Sequence, residues 1–296
     1  MKGTLLQLPR LNGRQWLGAL IVLLGSSYAV QQLILLMQQQ QNVRYAFYAG
    51  MVAAGATAAG AIPALFFQRL SQKLHDVMLG FGAGVMLAAC MFSLIVPALA
   101  LLIDSGASPW RSSGSVALAI LLGGALMLLI ERLVPHQHFI KEEDRLRSLK
   151  LRRSWLFVFA IVLHNMPEGL AIGASFASGD IAAATALTVG ISVQDIPEGL
   201  VVAMALLSVG YSRLLAVSMA ILSGLTEPLM AVIGAAVLGD SSLLLPWGLA
   251  LAAGAMLFVI SHEMIPESHR QGHELAATNG LMLGFVLMML LDTALG

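Results

Sequence analysis

Nine long apolar segments dominate the sequence and restrict what it can fold into. The hydrocarbon core of a bilayer is about 30 Å thick, so a helix of roughly 20 apolar residues crosses it. Only helices and closed barrels satisfy their own backbone polar groups there. With 58% hydrophobic and 11% charged residues, the composition is not that of a soluble protein. The sequence predicts an all-α polytopic membrane protein with spans near residues 16–37, 45–67, 77–103, 114–134, 154–177, 183–208, 213–238, 244–264 and 277–295.

The first span follows a short basic segment that contains Lys2, Arg10 and Arg14. A cleaved signal peptide is the alternative, because residues 25–29 resemble a cleavage region. The apolar run continues through residues 33–36, and this length favours a retained helix. We therefore expect an N-terminal segment over residues 1–40 and a membrane core over residues 41–296 that contains a polar loop at 135–153.

The distribution of Lys and Arg predicts the orientation of the spans, since basic residues are enriched in cytoplasmic loops. With the N-terminus in the cytoplasm, fourteen basic residues fall on the cytoplasmic side, whereas only Arg44 and Arg111 fall outside. This orientation places the loop at 135–153 in the cytoplasm and the C-terminus outside.

Two similar motifs lie in the middle of neighbouring spans: His-Asn-Met-Pro-Glu-Gly at 164–169 and Gln-Asp-Ile-Pro-Glu-Gly at 194–199. Helical spacing of three and four residues puts the polar side chains of each motif on one face. We expect that face to carry His164, Asn165 and Glu168 on the first helix, and Gln194, Asp195 and Glu198 on the second. No Lys or Arg occurs between Ser154 and Ser212 to neutralise these carboxylates.

A carboxylate at the centre of a membrane helix costs about 2.5–3.5 kcal/mol. Glu227, followed by Pro228, adds a fourth to the set, so about 10 kcal/mol must be offset. Protons could neutralise some of these groups, but a multivalent cation neutralises them together, and His, Asn and Gln add nitrogen and oxygen ligands. Pro167 and Pro197 alone could mark simple helix kinks. Kinks would not require a glutamate after each proline, and we favour an intramembrane metal site.

Several other residues could belong to a metal pathway. His262 and Glu263 lie near the cytoplasmic end of their span and could form a release step or simply the interfacial end of a helix. Two pairs of histidines, His136 with His138 and His269 with His273, lie in cytoplasmic polar segments and could receive metal or be ordinary loop residues. Met86 has the spacing of an ordinary gap-filling methionine.

Composition also excludes several functions. A net charge of zero excludes nucleic-acid binding based on excess basic charge. The single cysteine, Cys90, excludes an intrachain disulfide framework and a cysteine zinc site. The spans leave no room for a soluble catalytic domain, so we do not expect an enzyme. An intramembrane metalloprotease is disfavoured because Pro266, not a second histidine, follows His262-Glu263 at the required spacing.

The paired motifs resemble the signature helices of the bacterial branch of the ZIP (Zrt/Irt-like) divalent-metal transporters. The resemblance extends over about residues 69–296 and includes residues 76–81, 261–263 and 291–296. It implies an eight-helix core, outside which the first span is an extra N-terminal helix, and commonly a homodimer. It also implies two metal ions per protomer. The first ion would be held by Met86, His164, Glu168, Gln194 and Glu198 and the second by Asn165, Asp195 and Glu227, with Glu168 and Glu198 bridging.

The resulting hypothesis is an inner-membrane carrier that imports Zn²⁺ by alternating access, with Cd²⁺, Fe²⁺ and Mn²⁺ as further candidate substrates. Import and alternating access follow from the resemblance, whereas the mixed nitrogen and oxygen ligands suit zinc without strong selectivity. The alternatives are a proton-coupled or passive cation channel and an export carrier.

Overall fold

Nearly all of the residues that the computed structural model describes, which are 13–67, 70–133, 162–239 and 241–295, lie in helices. The first helices are α1 (Gly13–Gln39), α2 (Gln41–Ala61), α3 (Gln72–Ala89), α4 (Val96–Asp104) and α5 (Pro109–Leu133). Helix α6 is described over 162–177. The remainder are α7 (Ile181–Val209), α8 (Arg213–Gly224), α9 (Thr226–Leu238), α10 (Leu244–Val259), α11 (Ile265–Ser268) and α12 (Glu274–Leu295).

The chain divides into two compact units, Met1–Gln41 and Asn42–Gly296. In the first unit the described residues form the single apolar helix α1. The second unit contains the other helices and every polar residue of the two motifs.

Eight continuous helical segments among the described residues, three of which combine two of the helices above, are long and apolar enough to cross a membrane. Their bounds agree with eight of the predicted spans to within about five residues, and the prediction of an all-α polytopic membrane protein is confirmed. The remaining predicted span, 154–177, corresponds to α6, of which only 162–177 belongs to the described residues.

Two spans contain π-helical segments that the apolar pattern did not predict. Cys90–Ile95 joins α3 to α4, and Ile260–Met264 joins α10 to α11. Each segment is followed two residues later by a proline, Pro97 or Pro266. Proline has no N–H to donate, and its ring displaces the carbonyl four residues earlier, so a widened turn just before it is a physical consequence of the sequence.

The predicted span at 213–238 is two helices rather than one. Helix α8 ends at Gly224, and α9 begins at Thr226. The break places Glu227 in the first turn of α9, where the unpaired N–H groups of a helix favour a carboxylate.

Candidate metal centre

Helices α6, α7 and α9 carry the polar residues of the centre. His164, Asn165 and Glu168 lie on α6, and Gln194 and Asp195 lie on α7, where Pro197 is accommodated inside the helix. All five of these polar side chains are at most 7% exposed. Glu227 of α9 is fully buried, and Glu198 of α7 is nearly so.

Two glycines allow the helices to approach closely at this point. A Cβ atom on Gly169, the residue after Glu168, would lie 2.5 Å from the carbonyl oxygen of Glu227. A Cβ atom on Gly199, the residue after Glu198, would clash with the carbonyl oxygen of Thr57 on α2. The glycine that ends each motif therefore allows its helix to pack closely on a neighbour, α6 on α9 and α7 on α2.

The carboxylates and the histidine form two groups that share one residue. His164, Glu168 and Glu198 each offer a ligand atom within 4.8 Å of the others. Glu168, Asp195 and Glu227 do the same. Glu168 belongs to both groups, so the two groups are adjacent. Imidazole nitrogen and carboxylate oxygen atoms of this kind are common metal ligands.

Hydrogen bonding inside the centre comes from two neutral side chains. Gln194 Nε2 donates to Glu168 Oε1 over 2.5 Å and to Asp195 Oδ1 over 2.7 Å. Thr57 Oγ1 lies 3.3 Å from Glu227 Oε1 and donates to it. His164 Nε2 lies 3.6 Å from Glu198 Oε2. Within the described ranges, no Lys or Arg forms an ion pair with these four carboxylates.

Seven side chains of the centre each keep one buried polar atom that has no hydrogen-bond partner among the described residues. These atoms are His164 Nε2, Asn165 Oδ1, Glu168 Oε2, Gln194 Oε1, Asp195 Oδ2, Glu198 Oε2 and Glu227 Oε2. A buried polar atom without a partner costs about 1–3 kcal/mol. Such atoms are uncommon in folded proteins, and seven together are the arrangement expected of a site that binds a cation.

A cavity of about 530 Å³ leads from the centre to one end of the bundle. His164 and Glu198 line its inner part. Its outer part lies between the start of α3, the end of α5 and the segment after α10, where it is lined by His75, Glu131, His262, Glu263, Glu267 and Arg270. We call it the vestibule. Only the first of the two groups borders it, because Asp195 and Glu227 do not line it.

The residues predicted for a release path fall into three classes. His262 and Glu263 line the vestibule, with His262 Nε2 3.3 Å from Glu131 Oε1 and Glu263 Oε2 3.9 Å from His164 Nδ1. His269 and His273 do not line it; His273 Nδ1 instead lies 2.9 Å from the buried Asp76. The predictions for His136 and His138 lie outside the described residues.

Sequence reasoning missed Glu131 and Thr57. Glu131 looked like an ordinary charged residue at the end of a span, and nothing in the pattern distinguishes it. For Thr57 the sequence does contain an indication, because it is the only hydroxyl, amide or charged side chain between residues 49 and 67. Met86 is fully buried on α3, and its assignment as a ligand stays a prediction.

Residues 135–292, more than half of the chain, match the family described as ZIP Zinc transporter. The chain belongs to the ZIP family. Both signature motifs, Glu227 and the vestibule residues His262 and Glu263 fall within the matched range.

Relatives within the ZIP family cover most of the chain. The zinc transporter ZIPB of Bordetella bronchiseptica is 44% identical over 262 residues, which are 88% of this chain and 84% of ZIPB. The zinc transporter GufA of Myxococcus xanthus is 46% identical over 84% of this chain and 98% of its own length. The human zinc transporter ZIP11 is 30% identical over 82% of this chain and 94% of its own. The resemblance to bacterial ZIP proteins is thereby confirmed, and so is the expectation of a transporter rather than an enzyme.

Proposed function

We propose that the protein imports Zn²⁺ into the cytoplasm through a centre that holds two ions. The seven unpartnered polar atoms support this proposal, and so does the arrangement of five of these residues in two groups that share Glu168. The relatives named as zinc transporters favour zinc as the substrate. Cd²⁺, Fe²⁺ and Mn²⁺ are further candidate substrates, since the ligands are mixed nitrogen and oxygen donors.

In the proposed centre, His164, Glu168, Gln194 and Glu198 hold one ion together with Met86. Asn165, Asp195 and Glu227 hold the other, with Glu168 and Glu198 bridging. Gln194 donates from its Nε2 atom to two carboxylates, and its Oε1 atom, which has no hydrogen-bond partner, is available as the ligand.

We propose that transport occurs by alternating access and that this structure is open to the cytoplasm. The vestibule opens at the end of the bundle where α3 begins and α5 ends, which the distribution of Lys and Arg predicts to be cytoplasmic. Apart from Met86, every proposed ligand is on α6, α7 or α9. These three helices could therefore carry the ions past α3 without exchanging most of the ligands.

An ion leaving the centre would meet Glu263 and then His262 with Glu131, all of which line the vestibule. We propose this order as the release path. His269 and His273 have hydrogen-bonding contacts of their own and are not needed for it.

We further propose a homodimer in the bacterial inner membrane, with the N-terminus in the cytoplasm and the C-terminus outside. The charge distribution supports this orientation, and the ZIP resemblance supports the dimer. Mass measurement in detergent tests the assembly, and cysteine accessibility at either terminus tests the orientation.

The deciding experiment measures radiolabelled zinc uptake into proteoliposomes together with the zinc bound to the same purified protein. We expect uptake and two bound ions in the wild type, and reduction of both in Glu198→Ala. Bound zinc without uptake would contradict transport, and no bound zinc would contradict the metal centre. Uptake only into vesicles with the opposite orientation would show export.

A further inference from the structure

We propose that Thr57 is a positioning residue for the second ion, acting through the carboxylate of Glu227. This inference rests on the proposed function and adds to it a helix, α2, that contributes no predicted ligand.

Thr57 is placed where a polar side chain needs a specific reason. It is the only hydroxyl, amide or charged side chain between residues 49 and 67, and it is 3% exposed. Its neighbours Ala53, Ala54 and Ala61 pack as apolar core. A valine at this position would fill the same space, so packing alone does not account for a hydroxyl group.

The hydroxyl has two acceptors within reach, Glu227 Oε1 at 3.3 Å and the carbonyl oxygen of Ala53 at 3.4 Å. It has one proton to donate. A hydrogen bond to an ionised group is about twice as strong as one between neutral groups. When Glu227 is a carboxylate facing a cation, the hydroxyl therefore donates to Glu227.

Thr57 and Gln194 divide the carboxylates of the second group between them. Gln194 donates to Glu168 and Asp195, and Thr57 donates to Glu227. Each carboxylate thus has one oxygen held by a neutral donor, while its other oxygen has no hydrogen-bond partner in the part of the chain that the structure describes. By holding Oε1, Thr57 determines that Oε2 of Glu227 faces the ion.

Backbone packing keeps Thr57 in register with the centre. Its carbonyl oxygen lies against Gly199, the residue after Glu198, and its side chain lies against Gly224, three residues before Glu227. Thr57 therefore contacts both the helix that carries Glu198 and the segment that leads to Glu227.

The test compares Thr57→Val, which removes the hydroxyl and keeps the shape, with Thr57→Ser, which keeps the hydroxyl. Zinc binding to the full-length protein in detergent is measured by equilibrium dialysis with metal analysis. Outer groups that orient a metal ligand typically change affinity by about 10–100-fold. We expect Thr57→Val to weaken the binding of one of the two ions by that factor and the binding of the other by clearly less, and Thr57→Ser to bind both as the wild type does.

Two further variants separate positioning from packing. Thr57→Ala also lacks the hydroxyl and cannot crowd its neighbours, so it replaces the valine variant if that one fails to fold. In a Glu227→Gln background, Thr57→Val should produce no additional loss, because its effect passes through the carboxylate. Equal weakening of both ions, or a further loss in the Glu227→Gln background, would overturn the inference.

The outcomes also separate this inference from the proposed function. If the wild-type protein binds no zinc, the proposed metal centre itself is contradicted. If the wild-type protein binds two ions and Thr57→Val binds them with the same affinities, only the proposed role of Thr57 is contradicted.

Discussion

Gln194 and Glu168, on different helices, are joined by a hydrogen bond of 2.5 Å between Nε2 and Oε1. The same amide donates to Asp195, so one neutral side chain contacts a carboxylate common to both groups and a carboxylate of the second group alone. This bond holds α6 and α7 together at the point where their carboxylates would otherwise repel each other.

Because Glu168 belongs to both groups, Glu168→Gln should weaken the binding of both ions. We expect zinc affinity to fall by at least about tenfold at each group, since even changes to outer groups cost about 10–100-fold. Metal analysis of the purified protein measures this. Glu267→Gln, at the half-exposed rim of the vestibule, is the matched control and should bind two ions. A Glu168→Gln protein with full zinc content would show that Glu168 is not a ligand in the centre.

Substitution of a residue that belongs to only one group should weaken the binding of mainly one ion. We expect His164→Ala to weaken mainly the ion next to the vestibule and Asp195→Asn mainly the other, so that each variant keeps about one tightly bound zinc under conditions that saturate the wild type. Calorimetric titration with zinc distinguishes the two variants. Loss of both ions in both variants would indicate a single cooperative centre rather than two separable groups.

Zinc uptake should weaken in acid. Protons and zinc compete for the same lone pairs on His164 and on the four carboxylates, so metal affinity falls as pH falls. The sign is fixed because metal binding releases protons and never takes them up. Uptake at about pH 5 should be well below uptake at about pH 7.5 in proteoliposomes without a proton gradient. Equal rates would count against ligation by His164.

His262 and Glu131 in the vestibule should affect the rate of zinc uptake rather than the binding of zinc. His262 and Glu131 are partly exposed, with side-chain exposures of 54% and 31%, so their interaction contributes little free energy. We expect Glu131→Gln to slow uptake by about two- to fivefold while the protein still binds two ions. Uptake kinetics and zinc content from the same preparation test this. A variant with lower zinc content would place Glu131 in the centre itself.

Gly169→Ala should destabilise the fold, because its Cβ atom would be only 2.5 Å from the carbonyl oxygen of Glu227. Overpacking of this kind costs about 1–3 kcal/mol. Gly55→Ala, on the exposed face of α2 with no atom within 4 Å, is the matched control. Thermal unfolding in detergent should show a lower midpoint for the first variant only.

Most of the fold followed from hydropathy, because span length and the absence of charge are imposed by the bilayer. The π-helical segments before Pro97 and Pro266 did not follow from hydropathy, although the missing N–H and the ring of each proline account for them. The break at Leu225 was also missed, since an apolar residue in a turn leaves no mark on a hydropathy pattern.

The candidate centre was predictable to the extent that ligands repeat at helical spacing. The family resemblance grouped residues of α6, α7 and α9 in one centre before the structure was known, whereas the roles of Thr57 and Glu131 required the tertiary structure. Both depend on which atoms face each other across helices that are far apart in sequence. Asp76 and His273, separated by 197 positions yet in contact, show the same limit.

Sharing of Glu168 has a consequence for how affinity can be defined. Two ions that contact one carboxylate are thermodynamically linked, and each changes the other's dissociation constant by the same factor. A zinc affinity measured for one position therefore has meaning only at a stated occupancy of the other. Competition between different metals would accordingly depend on the order in which the two positions fill.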